Sequence, residues 1–573
     1  MDLEDLSKTE LVDLVKKLRS KKKYGLVWED EKTREHFDFD PRTSMPIFTE
    51  NQKKRIKDKN KKKSNFLIEG DNFFALNLLR YSHSNKIDFI YIDPPYNTGN
   101  KDFKYNDSYV DREDTYRHSK WISFMYKRLE LARDLLSDQG VIFVSIGDDE
   151  QANLKLLMDE IFGENNFINC VPRLAKTSSD RGTFYAPSKD YLLVYKHPNR
   201  TEKFNDVLDE EYINRFKGTD ERGSYATVGL YQAALDPLRG CVNQRYWVKC
   251  PDGSFIIPPG NIFPKKIEDG AHIPPETQED KVWRWSYERY LRDKDGLIFK
   301  KSKRSPMLNE KRQKSEWNVD TKYYLEDRQE SGKRPRDWVE KFLNTEGSNE
   351  VKKLGLDFSY PKPTSLVKYL ITISHSRKDI FVLDFFAGSG TTGDAVLQLN
   401  AEDEGERRFI LVTNNEDNIC TEVTHPRLEK VSKGFVDTSG KKIEGLGGNV
   451  RYFQIDFLKK TLNQDEMKIR LTEKIVDLLK LSNDAFDEIS VDHDDFKIFN
   501  SPTGITGIYH SFDPTHISDF INELKKHKEA KIKIYQFSFD DEISNSEEFE
   551  SLGNCEIEPI PHRLLELLGE INV

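Results

Sequence analysis

The chain has 573 residues, of which 36% are hydrophobic and 33% charged, and its formal net charge is -10. A chain of this length exceeds one ordinary hydrophobic core, so we expect two to four domains. No apolar run approaches the ~20 residues that cross a bilayer. The acidic, amphipathic N-terminus is unlike a secretory signal. We therefore expect a soluble, cytoplasmic protein with no membrane-bound part.

The negative charge is concentrated at the C-terminal end. Between Ile455 and Val573, 25 acidic residues accompany 13 basic ones, whereas 33 basic residues outnumber 27 acidic ones between Cys170 and Thr345. The second segment can present positive surfaces to phosphate groups, so the net charge does not exclude a nucleic acid partner. Cysteines without CxxC spacing favour reduced thiols over disulfides or a zinc site. They are Cys170, Cys241, Cys250, Cys420 and Cys555.

Residues 1–64 are predicted to form an N-terminal helical region and a basic linker. Apolar residues recur there at helical spacing, at Leu11, Leu14, Val15 and Leu18. The lysine-rich stretch from Lys53 to Lys63 is typical of a solvated linker, and a phosphate-contacting arm is the alternative.

Residues 65–170 alternate between buried strands and amphipathic helices. NFLIEGDN, KIDFIYID and VIFVSIGD predict strands, and FFALNLLRY, KWISFMYKRLELARDLLS and QANLKLLMDEIFG predict helices. This alternation predicts a parallel, doubly wound α/β sheet. The pattern resumes over residues 359–455 with SLVKYLITISHS (helix), DIFVLDFFAGSG (strand and turn), TTGDAVLQLN (helix) and RFILVTNNE (strand).

Two segments depart from that alternation. Residues 171–358 are irregular and rich in Trp, Tyr, Arg, Lys, Pro and Gly, so we expect a separate inserted domain. Residues 456–573 hold the helix-like EMKIRLTEKIVDLLKL and the strand-like KIKIYQFSF, which predict a small, acidic C-terminal α/β domain.

A glycine-rich turn, DFFAGSGTTGDA, lies between a predicted strand and a helix from Asp384 to Ala395. Gly388 and Gly390 allow a tight turn and a close approach of a ligand to the helix N-terminus. Glu416, or its neighbour Asp417, follows the next strand and is placed to accept hydrogen bonds from a ribose. A P-loop lysine and the GxGxxG spacing are both missing, so ATP and NAD fit poorly. A turn without a ligand is the structural alternative.

The second motif, IYIDPPYNTG, ends a buried strand at residues 90–99. Its two prolines cannot continue a sheet interior and fix an extended turn. Asp93 and the carbonyl of Pro94 can accept hydrogen bonds from an aromatic amine, which localises its lone pair for attack on a methyl donor. Tyr96 can stack on a base that has left the helix. A strand-ending turn with a capping Asp is the structural alternative.

The order DPPY before FAGSG resembles the permuted β class of amino-methyltransferases. The similarity extends further, to the modification subunits of type III restriction-modification systems. Four further segments resemble that group over roughly residues 10 to 460: KKYGLVWED, EGDN, FSYPKPTSLVKYLI and RFILVTNNEDNICTEVTHPRL. The resemblance implies a Rossmann-like S-adenosylmethionine-dependent methyltransferase sheet, and it assigns residues 171–358 to target recognition.

The resemblance also implies the roles of individual residues. The catalytic, base-holding residues are Asp93, Pro94, Pro95 and Tyr96. The cofactor-binding residues in and around the glycine-rich turn are Asp384, Phe386, Ala387, Gly388, Gly390 and Thr391. Further cofactor contacts are expected at Asp71 (the adenine amine), Glu416 (the ribose), and Lys362 and Thr364 (the methionine end). No metal is expected in this site.

The predicted activity is methyl transfer from S-adenosylmethionine to the N6 of an adenine flipped out of double-stranded DNA. The implied partners are DNA, a second copy of the chain, and a restriction subunit with helicase and nuclease domains, or none if the enzyme is an orphan. A nucleoid-associated location follows. Arg239, Gln244, Arg245 and Trp247, or Arg284 with Trp283 and Trp285, are candidates to read bases, although most of these aromatics are expected in a core.

Several alternatives remain open. Cytosine-N4 methylation uses the same geometry, although that group usually has Ser where this chain has Asp93. Methylation of RNA or of a protein amide, and a DNA-binding module with a decayed site, are further candidates. Cytosine-C5 methylation requires a nucleophilic cysteine after a proline, and none of the five cysteines follows a proline.

Overall fold

The structure is a computed structural model, and it describes most of the chain. The described residues are 26–29, 33, 35–36, 43–58, 63–106, 108–177, 184–206, 213–326, 334–461, 463–489, 491, 493–527, 529–539 and 546–569. The predicted N-terminal helix at residues 11–18 lies outside them. A search of the described helices finds none that is long and apolar enough to cross a membrane.

Nine strands form the central sheet. They are β1 (Ser44–Glu50), β2 (Ser64–Glu69), β3 (Ile87–Ile92), β4 (Leu136–Ile146), β5 (Phe167–Leu174), β6 (Lys189–Lys196), β7 (Phe381–Asp384), β8 (Arg408–Thr413) and β9 (Asn449–Lys459). Their spatial order is β1-β9-β2-β8-β7-β3-β4-β6-β5. The six inner strands, from β9 to β4, pair in parallel, whereas β1, β6 and β5 pair antiparallel at the two edges.

The helices of this part of the chain cover the sheet. They are α1 (Asn72–His83), α2 (Arg117–Leu135), α3 (Gln151–Met158), α4 (Asn344–Lys353), α5 (Thr364–Ser374), α6 (Thr391–Asp403) and α7 (His425–Lys433). The inner strands are apolar because helices cover both faces of a parallel sheet, and all six residues of β3 are buried. Shorter pieces are Gln52–Lys54, Lys104–Tyr105, Ser108–Tyr109, Asp159–Gly163, Glu164–Asn166, Glu416–Asn418, Ile419–Thr424, Gly434–Val436 and Lys442–Glu444.

The predicted parallel α/β sheet is present, but its edges differ from the prediction. β5 and β6 lie within or across the segment predicted to be a separate domain, and β1 lies within the predicted N-terminal linker. β9 crosses the predicted boundary at residue 456 and pairs with β1 from Ser44 to Glu50. β1 and β5 each contain a proline, which is unusual in an inner strand, and β6 lies in a segment that otherwise lacks the strand–helix alternation.

A second compact unit spans Asn205–Pro335, while the rest of the chain forms the first unit. The independent unit is therefore narrower than the predicted inserted domain of residues 171–358. Its four-stranded sheet runs in the order Ile298–Lys301, Trp317–Tyr324, Gly223–Gly229, Gly218–Asp220. Its other elements are Val248–Lys249, Phe255–Ile256, Tyr287–Asp293 and Lys294–Gly296.

The core of this second unit is aromatic. It holds Tyr246, Trp283 and Tyr290, with relative exposures of 0%, 0% and 2%. Arg245 is also fully buried and donates to the carbonyls of Pro258, Pro259, Ile262 and Lys281. Arg245 is thus a core residue, which corrects the suggestion that it reads bases, whereas the burial of Trp247, Trp283 and Trp285 confirms that most of these aromatics lie in a core. Arg239 and Arg284 are exposed.

The chain ends in an acidic α/β part with its own five-stranded sheet, in the order β10-β11-β12-β13-β14. The strands are β10 (Asp487–Ile489), β11 (Phe496–Ser501), β12 (Gly504–Tyr509), β13 (Ile532–Phe537) and β14 (Cys555–Ile560). The longer helices are α8 (Gln464–Lys474), α9 (Val476–Asn483), α10 (Ile517–Lys525) and α11 (His562–Gly569). Short helical pieces are Pro514–His516, Ser546–Phe549 and Glu550–Leu552. Leu478 of α9 and Leu564 of α11 belong to the same core cluster as Leu78 of α1.

Candidate active site

Four loops that carry predicted site residues meet at one edge of the sheet. The strands β2, β8, β7 and β3 are parallel neighbours, and Asp71, Glu416, the glycine-rich turn and Asp93 follow their carboxyl ends. Open α/β sheets bind ligands in crevices at this edge. The permuted chain order thus brings the two motifs together, although nearly 300 residues separate Asp93 from Asp384.

Asp93 directly follows β3 and is held by one lysine. Its Oδ2 accepts a hydrogen bond from Nζ of Lys362 at 2.6 Å. Its Oδ1 is buried and has no hydrogen-bond partner among the described residues. A buried acceptor without a partner is costly, so such atoms are rare outside functional sites. The carboxylate therefore keeps an unused acceptor for a donor that is not part of the chain.

Tyr96 stands beside this carboxylate with its hydroxyl in the same network. The hydroxyl accepts from Lys362 Nζ at 3.1 Å and donates to Oδ2 of Asp190 at 3.3 Å. Burial, together with the charges of Asp93 and Asp190, raises the pKa of Tyr96 well above its ordinary value, so the phenol stays protonated. A Cβ at Gly147 would lie 2.8 Å from the ring, so a glycine is needed for the ring to pack there.

Two residues that fix the position of Tyr96 were not predicted from the sequence. Arg173 of β5 and Asp190 of β6 are 0% and 3% exposed and form a two-pronged ion pair. Arg173 also donates to the Phe342 carbonyl and to Asn344. Planar guanidinium–carboxylate pairs fix geometry as well as charge. The signal in the sequence was weak, because Arg173 lies in FINCVPRL and Asp190 is one of three charged residues in KDYLLVYK.

The backbone of the DPPY turn is fixed on its other side. The Pro95 carbonyl accepts from the indole of Trp121 at 2.7 Å. Asn97, with a φ of 57°, donates to the buried carboxylate of Glu150 at 2.6 Å. Burial raises the pKa of Glu150, which also contacts His118. Pro94 lies within this turn, and its side chain is buried. These contacts make the turn rigid.

The glycine-rich turn is shaped by Asp384 at the end of β7. Its Oδ1 accepts from the Phe386 N–H at 3.0 Å and its Oδ2 from the Thr392 hydroxyl at 2.6 Å. Burial raises the pKa of Asp384 to about 7. Both of its oxygens are used within the turn. The Ala387 N–H donates to the carbonyl of Val412 at 3.1 Å, which ties the turn to β8.

The two predicted glycines have positive φ values, 47° at Gly388 and 79° at Gly390. This left-handed backbone favours glycine. A Cβ at Gly388 would also come within 3.1 Å of the Phe358 ring, so a side chain would narrow the space above the turn. Phe386 is half-buried and packs near Phe124, with ring centroids 5.9 Å apart. We call the space above the turn, which the Phe358 ring bounds on one side, the cradle.

Lys362 and Thr364 lie at the start of α5, next to the glycine-rich turn. The Lys362 carbonyl accepts from the Thr391 hydroxyl at 3.1 Å, so the lysine joins the two motifs. Thr364 donates through its N–H and its hydroxyl to Glu350 of α4. Arg427, fully buried, bridges Glu350 and the glycine-rich turn through Asp394, Ser389 and Thr391. These hydrogen bonds and ion pairs hold the glycine-rich turn in place.

Asp71 and Glu416 occupy the outer loops of the edge. Asp71 caps α1 by accepting from the Phe73 N–H at 2.7 Å, and it pairs with the buried Arg128 at 3.2 Å. Its side chain is 41% exposed. Glu416 is half exposed and pairs with Lys104 at 3.2 Å, and its neighbour Asp417 has a φ of 49°. Both carboxylates retain access to solvent.

These residues fit the predicted cofactor and the amine that it methylates, by one observation each. The glycine-rich turn leaves a cradle that a Cβ at Gly388 would narrow, and Asp93 keeps an unpaired acceptor beside it. The first suits a ligand that approaches backbone closely, and the second suits an amine that is to be activated.

Comparison with known proteins identifies the family. The family model described as DNA methylase matches residues 87–425, more than half of the chain, and the chain belongs to this family. This confirms the predicted class, a DNA methyltransferase on a Rossmann-like sheet. It also confirms the predicted methyl donor, S-adenosylmethionine.

Individual relatives extend the similarity beyond the family model. The chain is 32% identical to the Mod subunit of the type III restriction-modification enzyme StyLTI from Salmonella typhimurium, over 67% of this chain and 58% of that subunit. It is 29% identical to the EcoPI Mod subunit of Escherichia phage P1, over 73% and 70%. It is 30% identical to the type II methyltransferase M.KpnI of Klebsiella pneumoniae, over 66% and 91%. The chain thus spans less than two thirds of the StyLTI subunit.

Proposed function

We propose that this chain transfers a methyl group from S-adenosylmethionine to the exocyclic N6 of adenine in double-stranded DNA. The observation that carries the proposal is the buried, unpaired Oδ1 of Asp93, placed beside Tyr96 and next to the glycine-rich turn. An amine conjugated with an aromatic ring is a poor nucleophile, so its activation requires acceptors of this kind. A carboxylate and a carbonyl at one turn supply them.

Different residues of the chain activate the amine, hold the base and bind the cofactor. Asp93 and the Pro94 carbonyl accept the two N–H groups of the amine and localise its lone pair. Tyr96 stacks on the flipped base, and Asp190 with Arg173 holds the ring in place. The Gly388–Thr391 backbone, Phe386, Glu416 and Asp71 hold the cofactor, whose sulfonium supplies the electrophilic methyl group. Nitrogen gains the methyl and loses one proton, which passes to Asp93 or to water.

Lys362 is placed to orient the carboxylate of Asp93. Its ammonium lies 2.6 Å from Oδ2 of Asp93, where a second N–H donor would otherwise bind. The ion pair fixes the carboxylate before the substrate arrives. Lys362 is 7% exposed, and its carbonyl accepts a hydrogen bond from Thr391 of the glycine-rich turn. We infer that it orients Asp93 in addition to lining the methionine end of the cofactor pocket.

Cytosine N4 is the second candidate, because its amine requires the same two acceptors. Mass spectrometry of nucleosides from DNA incubated with the protein and S-adenosylmethionine distinguishes the two bases. We expect N6-methyladenine. N4-methylcytosine in its place would overturn the choice of base while leaving the mechanism intact, and incorporation into RNA or protein alone would overturn DNA as the substrate.

We further propose that the chain modifies DNA within a type III restriction-modification system, as the names of two relatives state for those proteins. The unit Asn205–Pro335 is the proposed target-recognition part. The proposed partners are a second copy of the chain and a restriction subunit. In the homodimer, one copy would read the sequence while the other methylates. The proposed location is the nucleoid. Light scattering of the purified chain tests the dimer, and a monomer active on DNA would contradict it.

A further inference from the structure

We propose that the C-terminal part of the chain binds a divalent first-row transition metal ion, Zn²⁺ in the first place, between His493, Asp495 and His516. The three side chains each place one ligand atom within 4.8 Å of the other two. His493 and Asp495 shortly precede β11, and His516 immediately precedes α10. The site is separate from the methylation site and does not depend on the proposed function.

The three ligand atoms lie close together. Nδ1 of His493 lies 3.8 Å, and Nε2 of His516 lies 3.9 Å, from the same oxygen, Oδ2 of Asp495. Ligands of a tetrahedral zinc ion, bound at about 2.0–2.1 Å, stand roughly 3.4 Å apart. Small side-chain rotations therefore suffice to close the site. The side chains are 23%, 28% and 43% exposed, so an ion can reach them.

The surroundings of the two imidazoles favour coordination. Nδ1 of His516 lies 3.1 Å from Oδ2 of Asp519 and donates a hydrogen bond to it, so Nε2, which lies 3.9 Å from Asp495, is the nitrogen available to a metal ion. A carboxylate on the other nitrogen is the usual support of a metal-binding histidine. The His493 ring stacks on Phe496, with centroids 4.6 Å apart.

Nδ1 of His493 is an acceptor in the structure. It accepts a 3.2 Å hydrogen bond from the backbone N–H of Asp495. That nitrogen therefore carries a lone pair rather than a proton, as a metal ligand must. The long hydrogen bond would be replaced by the bond to the metal.

The chemistry of the ligand set selects the ion. Two imidazoles and one carboxylate suit zinc and its neighbours better than Mg²⁺ or Ca²⁺, which prefer oxygen ligands alone. Three protein ligands leave a fourth position for water. The ion would fasten the segment before β11 to the start of α10. Because it would bind only the folded form, it would stabilise this part of the chain.

Calorimetric titration of the metal-free, full-length protein with ZnCl₂ tests the site. We expect one ion per chain, and loss of that ion in His516→Ala and Asp495→Asn. Asp519→Asn keeps all three ligands but removes the support of His516, and we expect roughly 10- to 100-fold weaker binding. His562→Ala is the matched control, because His562 lies in the same part of the chain, pairs with Glu566 at 3.2 Å, and is not one of the three ligands.

Two further measurements distinguish the loss of a metal ligand from the loss of the fold. Co²⁺ in place of zinc should give the visible absorption of a four-coordinate site in the wild type and in His562→Ala, and not in His516→Ala. Equal melting temperatures of all variants in EDTA would show that the substitutions leave the fold intact. Absence of zinc binding by the wild type, or equal binding by His516→Ala, would overturn the proposal.

Discussion

At the scale of single residues, the site depends on how one tyrosine is held. The Tyr96 hydroxyl contacts Lys362 and Asp190, whereas the ring packs against Gly147. The hydroxyl therefore serves orientation, and the ring serves contact with the base. These two contributions can be removed separately.

We predict that Tyr96→Phe lowers the methylation rate by less than about tenfold, while Tyr96→Ala lowers it by a further ~5- to 100-fold. The larger loss follows from base–aromatic stacking worth about 1–3 kcal/mol. Single-turnover rates on duplex DNA measure both. Tyr91→Phe is the matched control, because Tyr91 is buried within β3 and its hydroxyl bonds to Ser145 at 3.0 Å. Equal losses in Tyr96→Phe and Tyr96→Ala would refute the stacking role.

Asp384 gives the site a predictable response to pH. Burial raises its pKa from 3.8 to about 7, so the folded form holds a proton that the unfolded chain has released. The stability that this group contributes is therefore complete below about pH 4 and falls as pH rises to about 7, by up to ~4 kcal/mol.

We predict that Asp384→Asn, which cannot ionise, shows a smaller loss of unfolding free energy between about pH 5 and about pH 8 than the wild type. Urea unfolding at both pH values provides the measurement. Asp138→Asn is the control, since that aspartate is 73% exposed. An identical pH dependence in Asp384→Asn and the wild type would show that Asp384 is ionised throughout.

Residue roles were predictable where chemistry and spacing coincide. DPPY and the glycine-rich turn could be recognised because few structures other than a ligand site need those residues consecutively. Arg173 and Asp190 could not, because their ion pair joins two strands, β5 and β6, to a turn that lies far away in the sequence. Only the antiparallel pairing of β5 with β6, which places Arg173 opposite Asp190, makes them neighbours.

At the scale of elements, the glycine-rich turn between β7 and α6 is the decisive unit. Gly388 combines a positive φ with close packing on Phe358. Gly440 has a φ of 86°, but a Cβ there would meet no heavy atom of the described residues within 4 Å. A side chain at either glycine would strain the backbone. Only a side chain at Gly388 would also enter the proposed cofactor cradle.

We predict that Gly388→Trp abolishes binding of S-adenosylmethionine, because the indole fills the cradle, while Gly440→Trp binds it normally. Equilibrium binding of the cofactor, measured by calorimetry, compares the two variants. Circular dichroism verifies that both are folded. An unchanged affinity in Gly388→Trp would contradict the placement of the cofactor at this turn.

The inner elements of the sheet followed from the sequence, and the edges did not. β3, β4, β7 and β8 contain continuous apolar runs because helices cover both of their faces. β5 shows mostly half-buried residues and contains a proline, which is compatible with an edge position but not with a simple strand pattern. An edge strand is therefore best recognised from its partner, which the sequence does not reveal.

At the scale of the whole molecule, a basic segment marks the unit Asn205–Pro335. Between Lys300 and Lys314 lie seven basic residues and one acidic residue, and most of the basic ones are exposed. Such a segment attracts phosphate and releases counterions on binding. The predicted inserted domain was broader than this unit because β5, β6 and α4 also interrupt the strand–helix alternation while belonging to the other unit.

We predict that the triple variant Lys303→Ala, Arg304→Ala and Lys311→Ala weakens DNA binding and lowers the slope of log affinity against log salt by ~3. Fluorescence anisotropy at several salt concentrations measures both quantities. The control variant replaces three lysines of the acidic C-terminal part, Lys525, Lys526 and Lys531. An unchanged slope in the first variant, or an equal change in the control, would remove this segment from the DNA interface.

The most direct test of adenine methylation is single-molecule sequencing of DNA from cells that express the chain, beside cells that express Asp93→Ala and Asp138→Ala. Asp93 supplies the acceptor on which the mechanism depends, whereas Asp138 is an exposed aspartate near the amino end of β4. We expect N6-methyladenine in one short sequence motif with the wild type and Asp138→Ala, and none with Asp93→Ala, which should still bind S-adenosylmethionine. Undiminished methylation in Asp93→Ala would contradict the role of Asp93 as the acceptor that activates the amine.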